Sequence, residues 1–139
     1  MHLADITPSI FASLGLADAE NRLEILESPA GRELLFLVDG LGADVIEKYA
    51  SVIPTIASLT ATASLRTSFP STTATSLATL MTGVLPGAHG MLGYTVQVPR
   101  SGGRILNALK WDERVDPINW QSVPTLFEKD MAAHLAAQR

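Results

Sequence analysis

The sequence predicts an α/β domain with a parallel sheet core and flanking helices. Residues 33–38 end in five consecutive apolar side chains, the pattern of a strand buried on both faces. Helical patterns at 44–50 and 54–59 separate this run from a second predicted strand at 61–69. A strand–helix–strand unit of this kind is expected to be parallel and right-handed. With 139 residues, the chain has room for one domain at most.

The first 31 residues predict two helices before the strand. Thr7 is the predicted N-cap of the first, Pro8 its first helical residue and Gly15 its stop. A second, more polar helix is predicted over residues 18–27, ended by the Ser-Pro-Ala-Gly segment at 28–31.

The second half predicts a helix, a hairpin and a final helix. Residues 74–81 carry apolar side chains at helical spacing (Ala74, Leu77, Ala78 and Met81), a face expected to pack on the sheet, and Gly83 follows them. Residues 94–98 and 104–107 predict a hairpin across the Ser-Gly-Gly turn. Ser122 is the predicted cap of a last helix from Val123, which has no stop signal before Arg139.

Composition excludes several classes of function. The net charge is −4, so there is no basic surface for a nucleic-acid partner. The absence of cysteine excludes disulfides, thiolate metal sites and thiol nucleophiles. No signal peptide is recognisable, and no apolar run approaches the ~20 residues that a membrane span needs. We therefore expect a cytoplasmic protein without a membrane partner.

Asp39 follows the first predicted strand directly and precedes Gly40. A carboxylate at the end of a buried strand is costly unless it is compensated, and a bound cation is a common compensation. Ligands of open α/β sheets bind beyond the carboxyl ends of the strands, which is where this residue falls. Asp-Gly is also a common turn dipeptide, so position alone leaves a turn and a metal ligand equally open. A dinucleotide motif is not formed, because Val45 stands where G-x-G-x-x-G needs glycine.

Hydroxyl side chains cluster just before the helix predicted at 74–81: Ser68, Ser71, Thr72, Thr73, Thr75 and Ser76. Such a cluster is commonly explained by helix capping alone. A hydroxyl there could instead attack phosphorus once a divalent cation lowers its pKa, with the helix N-terminus binding phosphate oxygens. Spacing does not decide which hydroxyl would do so.

The remaining candidates are histidines and tryptophans. His89 lies in a Pro-Gly-Ala-His-Gly loop, and a single loop histidine is expected to be structural. His2 and His134 are expected at the surface, and Trp111 and Trp120 are expected to anchor the core or loops.

Three blocks at 37–41, 69–73 and 82–90 resemble the type I phosphodiesterase/nucleotide pyrophosphatase family of the alkaline phosphatase superfamily. The resemblance implies that residues 1–139 are the N-terminal part of an alkaline-phosphatase-like catalytic domain, with no second domain. It also implies a metal-dependent hydrolase of phosphodiester or pyrophosphate bonds. The substrate would be a small phosphoester, with nucleotides among the candidates.

The resemblance also implies residue roles. Asp39 matches the first metal-ligand aspartate of the family. Thr73 lies nine residues before Thr82 of the Thr-Gly-x-x-Pro block and matches the nucleophile, which also binds metal. Two divalent ions, zinc by resemblance, would bind the substrate and the Thr73 oxygen, and a phosphothreonine intermediate would be hydrolysed by water.

The chain departs from the family pattern after the nucleophile, where residues 74–76 read Ala-Thr-Ser instead of Phe-Pro-Asn. The family asparagine that contacts the phosphoryl group would fall near Tyr94. Further family ligands lie beyond this length, and the later acidic and histidine residues match no motif. We therefore expect an incomplete, truncated site. The alternatives are an inactive α/β fragment or another phosphotransfer enzyme of the superfamily, a phosphatase or a phosphomutase.

Overall fold

The structure, a computed structural model, describes residues 1–16, 18–24, 31–59 and 64–137. These residues form short helices and one antiparallel strand pair. In chain order the elements are a 3₁₀ helix at Leu3–Asp5, α1 (Ile6–Ser13), α2 (Ala43–Lys48), α3 (Pro54–Ala57), α4 (Thr73–Thr82), α5 (Pro86–His89), β1 (Thr95–Gln97), β2 (Ile105–Asn107), α6 (Pro117–Trp120) and α7 (Leu126–Ala137).

Helix α4 lies at the centre of the fold and contacts the 3₁₀ helix, α1, α5 and α7. Its start is capped by Thr72, whose hydroxyl accepts a hydrogen bond from the Thr75 backbone N–H at 3.5 Å. Its end is Gly83, in the left-handed conformation with φ 69°. Arg22 donates to the Gly83 carbonyl at 3.0 Å and so places a cation at the helix C-terminus. The helix predicted over 74–81 is confirmed.

The face that α4 buries is not the predicted one. Thr75, Thr79, Leu80 and Thr82 are buried, whereas Leu77 remains 39% exposed. The polar face can be buried because its hydroxyls bond to the helix itself. Thr79 donates to the Thr75 carbonyl at 2.8 Å, and Thr82 donates to the preceding turn at 2.6 Å. A hydrogen-bonded hydroxyl costs little free energy to bury. The packing of neighbouring elements, and not the apolarity of the side chains, therefore determined which face of α4 is buried.

The predicted strand at 33–38 is irregular and unpaired in the described residues. Its side chains are exposed, Leu34 to 89% and Phe36 to 75%, and its backbone bonds to no described residue. Of the second predicted strand, 61–63 lie outside the described residues, and Arg66 forms a single parallel bridge with His2. Neither segment is therefore a paired strand within the described residues, which contain no parallel sheet. Apolarity predicts a buried environment, but a strand forms only where a partner backbone is available.

The predicted hairpin is confirmed. β1 and β2 pair antiparallel, with Val96 opposite Leu106, which is fully buried. The two glycines of the turn, Gly102 and Gly103, have φ of 70° and 95°, a conformation that favours glycine. The crossover helices are also present as α2 and α3, and Pro54 is the first residue of α3.

Helix boundaries near the N-terminus differ from those predicted. The 3₁₀ helix leads directly into α1, so Thr7 and Pro8 lie inside α1 and not at its cap. Gly15 follows the helix with φ 76°, as its predicted stop. Residues 18–24 are not helical, and the rest of the helix predicted at 18–27 lies at residues 25–27, outside the described part.

Helix boundaries near the C-terminus also shift. α7 starts at Leu126, three residues after the predicted Val123, because Thr125 and Glu128 form a reciprocal cap. The Glu128 carboxylate accepts from the Thr125 N–H at 2.7 Å, and the Thr125 hydroxyl accepts from the Glu128 N–H at 3.2 Å. α6 was not predicted; Asp116 caps it with a 2.9 Å bond to Ile118 N–H. Across the described ranges, no helix is both long and apolar enough to cross a membrane.

Gly83 generates a stability prediction. A Cβ atom there would lie 2.8 Å from Pro8 Cγ and 3.1 Å from Leu126 Cδ1, in addition to the strain of a positive φ. We expect Gly83→Ala to lower the free energy of unfolding by about 2–4 kcal/mol, combining left-handed strain with overpacking. Urea unfolding measures it. Gly102→Ala is the matched control, because φ is +70° but no atom lies within 4 Å; its expected cost is about 1–2 kcal/mol. Equal losses in the two variants would contradict the packing argument.

Candidate active site

The structure brings Asp39 and Thr73 together. The Thr73 hydroxyl donates to Asp39 Oδ2 at 3.1 Å across 34 residues of sequence, and both side chains are exposed. Asp39 enters a turn in which Gly40 has φ 72°, and this turn follows the unpaired segment 33–38. Thr73 is the first residue of α4. The predicted turn at Asp39 is therefore present, and it holds the carboxylate beside the start of the helix.

The hydroxyls at the start of α4 have separate partners. Thr72 is the cap, and its hydroxyl lies 3.0 Å from that of Thr75, which is fully buried. Thr73 is free of these capping contacts and is directed at a carboxylate. Thus capping is done by one threonine, and the next is left available at the solvent-exposed helix end.

The N-terminus of α4 also presents unpaired backbone donors. The N–H groups of Thr73 and Ala74 have no acceptor among the described residues, as expected for the first turn of a helix. With the positive end of the helix dipole, such groups bind anions and phosphate oxygens. The Asp39 carboxylate therefore lies beside the positive end of α4.

A cavity of about 720 Å³ adjoins the pair. Its polar wall consists of five residues: Asp39, Thr67, Ser71, Thr73 and Ser76. The hydroxyls of two of them, Thr67 and Ser76, lie 3.2 Å apart. The remainder consists of six leucines (Leu3, Leu37, Leu41, Leu65, Leu77 and Leu80), Val38, Gly40 and Gly42. The space is therefore wide enough for a small phosphoester beside an apolar wall.

The donor set for a metal is small in the described part of the chain, where no group of three or more His, Asp or Glu side chains could hold an ion. Later carboxylates have other partners. Asp112 accepts two 2.8 Å bonds from Arg114, whose hydrogen bonds lower the pKa of Asp112 to about 2. Asp116 is occupied with capping α6. Neither joins Asp39.

His89 is buried, and both ring nitrogens are bonded. Nδ1 accepts from the Met91 N–H at 3.1 Å, and Nε2 lies 2.9 Å from the Thr79 hydroxyl. Burial lowers the pKa of His89 from its usual 6.5. These contacts support the prediction that His89 is structural. Its pairing with Thr79 had no signal in the sequence, because the two positions share no motif.

His2 is half-buried, and its expected surface role is wrong. Its Nδ1 accepts from the Ala4 N–H at 3.1 Å, and its backbone N–H donates to Asp5 at 2.7 Å, so it caps the 3₁₀ helix. Trp111 anchors a loop, as predicted, by donating to the Val115 carbonyl at 2.7 Å.

Comparison with known proteins identifies the class of the chain. The family model for type I phosphodiesterase / nucleotide pyrophosphatase matches residues 34–138, which include both Asp39 and Thr73. The chain belongs to this family, within the alkaline phosphatase superfamily. The family hydrolyses phosphodiester and pyrophosphate bonds and is generally metal-dependent. No curated protein and no solved structure matches the chain.

The separate duties of the two adjacent threonines can be measured. We expect Thr72→Ala to lower the free energy of unfolding by about 1 kcal/mol, because it removes the N-cap of α4. Thr73→Ala is the matched control, and its effect should stay within about 0.5 kcal/mol because its side chain is exposed. Chemical denaturation of the two variants measures both changes in the free energy of unfolding. A larger loss for Thr73→Ala than for Thr72→Ala would reverse the assignment.

The lowered pKa of His89 predicts a dependence of stability on pH. The folded state favours the neutral His89 ring. The contribution of this ring to the free energy of unfolding is therefore complete above pH 6.5, the usual pKa of histidine, and declines as the pH falls below that value. We expect the free energy of unfolding to decrease in that range, and the His89→Gln variant to lose this part of the decrease. Urea unfolding at a series of pH values tests it. An unchanged slope in the variant would show that other groups cause it.

Proposed function

We propose that the protein is a hydrolase of phosphodiester or pyrophosphate bonds that uses Thr73 as its nucleophile. The observation that carries this proposal is the 3.1 Å hydrogen bond from the Thr73 hydroxyl to Asp39 at the exposed N-terminus of α4. A nucleophile oriented by a carboxylate, beside unpaired N–H donors, is what attack on a phosphoester needs. The family membership supports the same reaction class.

In this mechanism the Thr73 oxygen attacks phosphorus in line with the leaving oxygen. The bond from Thr73 to phosphorus forms as the bond from phosphorus to the leaving alcohol or phosphate breaks. The Thr73 hydroxyl releases its proton to water, and the leaving oxygen takes up a proton from water. Asp39 accepts the hydrogen bond of the hydroxyl and orients the attacking lone pair. The N–H groups of Thr73 and Ala74 bind the phosphoryl oxygens, whose negative charge they offset. Water then hydrolyses the phosphothreonine, which restores the hydroxyl.

The proposal includes two divalent ions, with zinc as the first choice. The residues fit in part, since Asp39 and Thr73 offer two oxygen donors 3.1 Å apart in an open cavity. Zinc takes about four ligands, so donors in addition to this pair must complete each site. When bound, the ions would lower the pKa of the Thr73 hydroxyl and neutralise phosphoryl charge.

We include an alkaline-phosphatase-like parallel sheet in the same proposal. Residues 34–38 are a run of five exposed apolar side chains, the composition of a strand that is paired on both of its edges. The alternative is an α/β chain without phosphoryl chemistry, and the small donor set of the described residues favours it. A phosphatase or phosphomutase would use the same threonine, so the substrate distinguishes these enzymes.

Removing the nucleophile tests the proposal. With zinc present and bis(nitrophenyl) phosphate as substrate, we expect Thr73→Ala to lower kcat/KM by at least about a hundredfold, because no other hydroxyl takes over the attack. Thr73→Ser should keep much of the activity. Ser71→Ala is the control, since Ser71 lines the same cavity without contacting Asp39. Release of nitrophenol gives the rate.

Two outcomes would contradict parts of this mechanism. If Thr73→Ala kept most of the activity, the nucleophile would be another group. If activity survived a chelator, the metal ions would be unnecessary. Calorimetric zinc titration of the parent and of Asp39→Asn tests the alternative of an inactive fragment. A parent chain that binds no zinc and hydrolyses no substrate would be that fragment.

A further inference from the structure

We propose that His89 is a positioning residue for Thr73 and acts through Thr79 on helix α4. This role rests on the proposed function for its effect on catalysis, but its effect on the position of Thr73 can be measured separately. His89 does not reach the cavity beside Asp39. It lies at the end of α5 and contacts the buried side of α4.

The hydrogen bonds around His89 allow one arrangement of protons. The Thr79 hydroxyl proton is used for the Thr75 carbonyl at 2.8 Å, so Thr79 must accept from His89 Nε2–H at 2.9 Å. Nδ1 is then unprotonated and accepts from the Met91 N–H at 3.1 Å. Every group is satisfied in the neutral ring with its proton on Nε2, and the site is buried.

This network continues to the turn that carries the nucleophile. Beyond Thr79, the buried Thr75 hydroxyl lies 3.0 Å from that of Thr72, the cap residue next to Thr73. Hydrogen bonds therefore run from the loop after α5 to the first turn of α4. Because an unsatisfied buried polar group is costly, each bond restrains the rotation and translation of the helix.

Restraint of α4 matters because, among the described residues, the hydrogen bond from Thr73 is the one given to the Asp39 side chain. The preceding segment 33–38 makes no backbone hydrogen bond to a described residue. The 3.1 Å contact between Asp39 and Thr73 is thus set on one side by the position of α4. A small displacement of a reacting group is enough to slow attack substantially.

Two substitutions of His89 separate its two hydrogen bonds, the one to Thr79 and the one to Met91. The glutamine side-chain amide reaches the position of Nε2 and can donate to Thr79, whereas the asparagine oxygen can replace Nδ1 and accept from Met91 N–H. On the other side, Thr79→Ser keeps the hydroxyl and Thr79→Val removes it. In this matched set His89→Gln and Thr79→Ser retain the contact between positions 89 and 79, and His89→Asn and Thr79→Val remove it.

The readouts are the amide signals of Thr73 and Ala74 in a ¹H–¹⁵N spectrum, and kcat and KM on bis(nitrophenyl) phosphate with zinc. We expect His89→Asn and Thr79→Val to shift both amides and to lower kcat by about tenfold with KM little changed. His89→Gln and Thr79→Ser should resemble the parent. Combining His89→Asn with Thr79→Val should add little further loss, because both remove the same contact.

The results distinguish this inference from the proposed function. Shifted Thr73 and Ala74 amide signals in His89→Asn and Thr79→Val would support the positioning role. If the parent itself showed no hydrolytic activity, the proposed reaction would be refuted while the positioning role remained supported. Equal stability losses in His89→Gln and His89→Asn with unmoved Thr73 and Ala74 signals would overturn the positioning role. If His89→Asn does not fold, Thr79→Val against Thr79→Ser decides the question by the same signals.

Discussion

The hydrogen bonding of the buried threonines on α4 is the constraint on which the rest of the fold depends. Thr75 and Thr79 face the interior with no accessible surface, so their hydroxyls must find partners within the protein. The Thr72 hydroxyl is the partner of Thr75, and a helix carbonyl and His89 are the partners of Thr79. Once this polar face is satisfied, α1, α5, α7 and the 3₁₀ helix can pack around it, and the helix acquires a defined position.

The ends of α4 follow from that position. Arg22 and Gly83 close its C-terminus, where little space remains beside Pro8. At the N-terminus Thr72 takes the capping role, and Thr73 remains exposed toward Asp39. Structural and chemical duties are therefore divided between neighbouring residues. This division explains how a capped helix can begin with an exposed hydroxyl that is bonded to a carboxylate.

Local chemistry predicted several elements well. The helix at 74–81 has glycine just beyond its end, and the hairpin has glycines in its turn, so neighbouring residues were sufficient. The strand at 33–38 shows the limit of such reasoning. An apolar run describes the surroundings a segment needs, whereas pairing requires a second backbone, which the described residues do not offer it.

The sequence by itself determined the local signals, because capping and turn chemistry depend on residues close together along the chain, and its resemblance to the family supplied the candidate pair Asp39 and Thr73. Only the tertiary structure decided which face of α4 is buried, that Thr73 meets Asp39 at 3.1 Å, and that Thr79 bonds His89 at 2.9 Å. These contacts join residues up to 34 positions apart. They depend on how whole elements pack, and no local pattern carries that information.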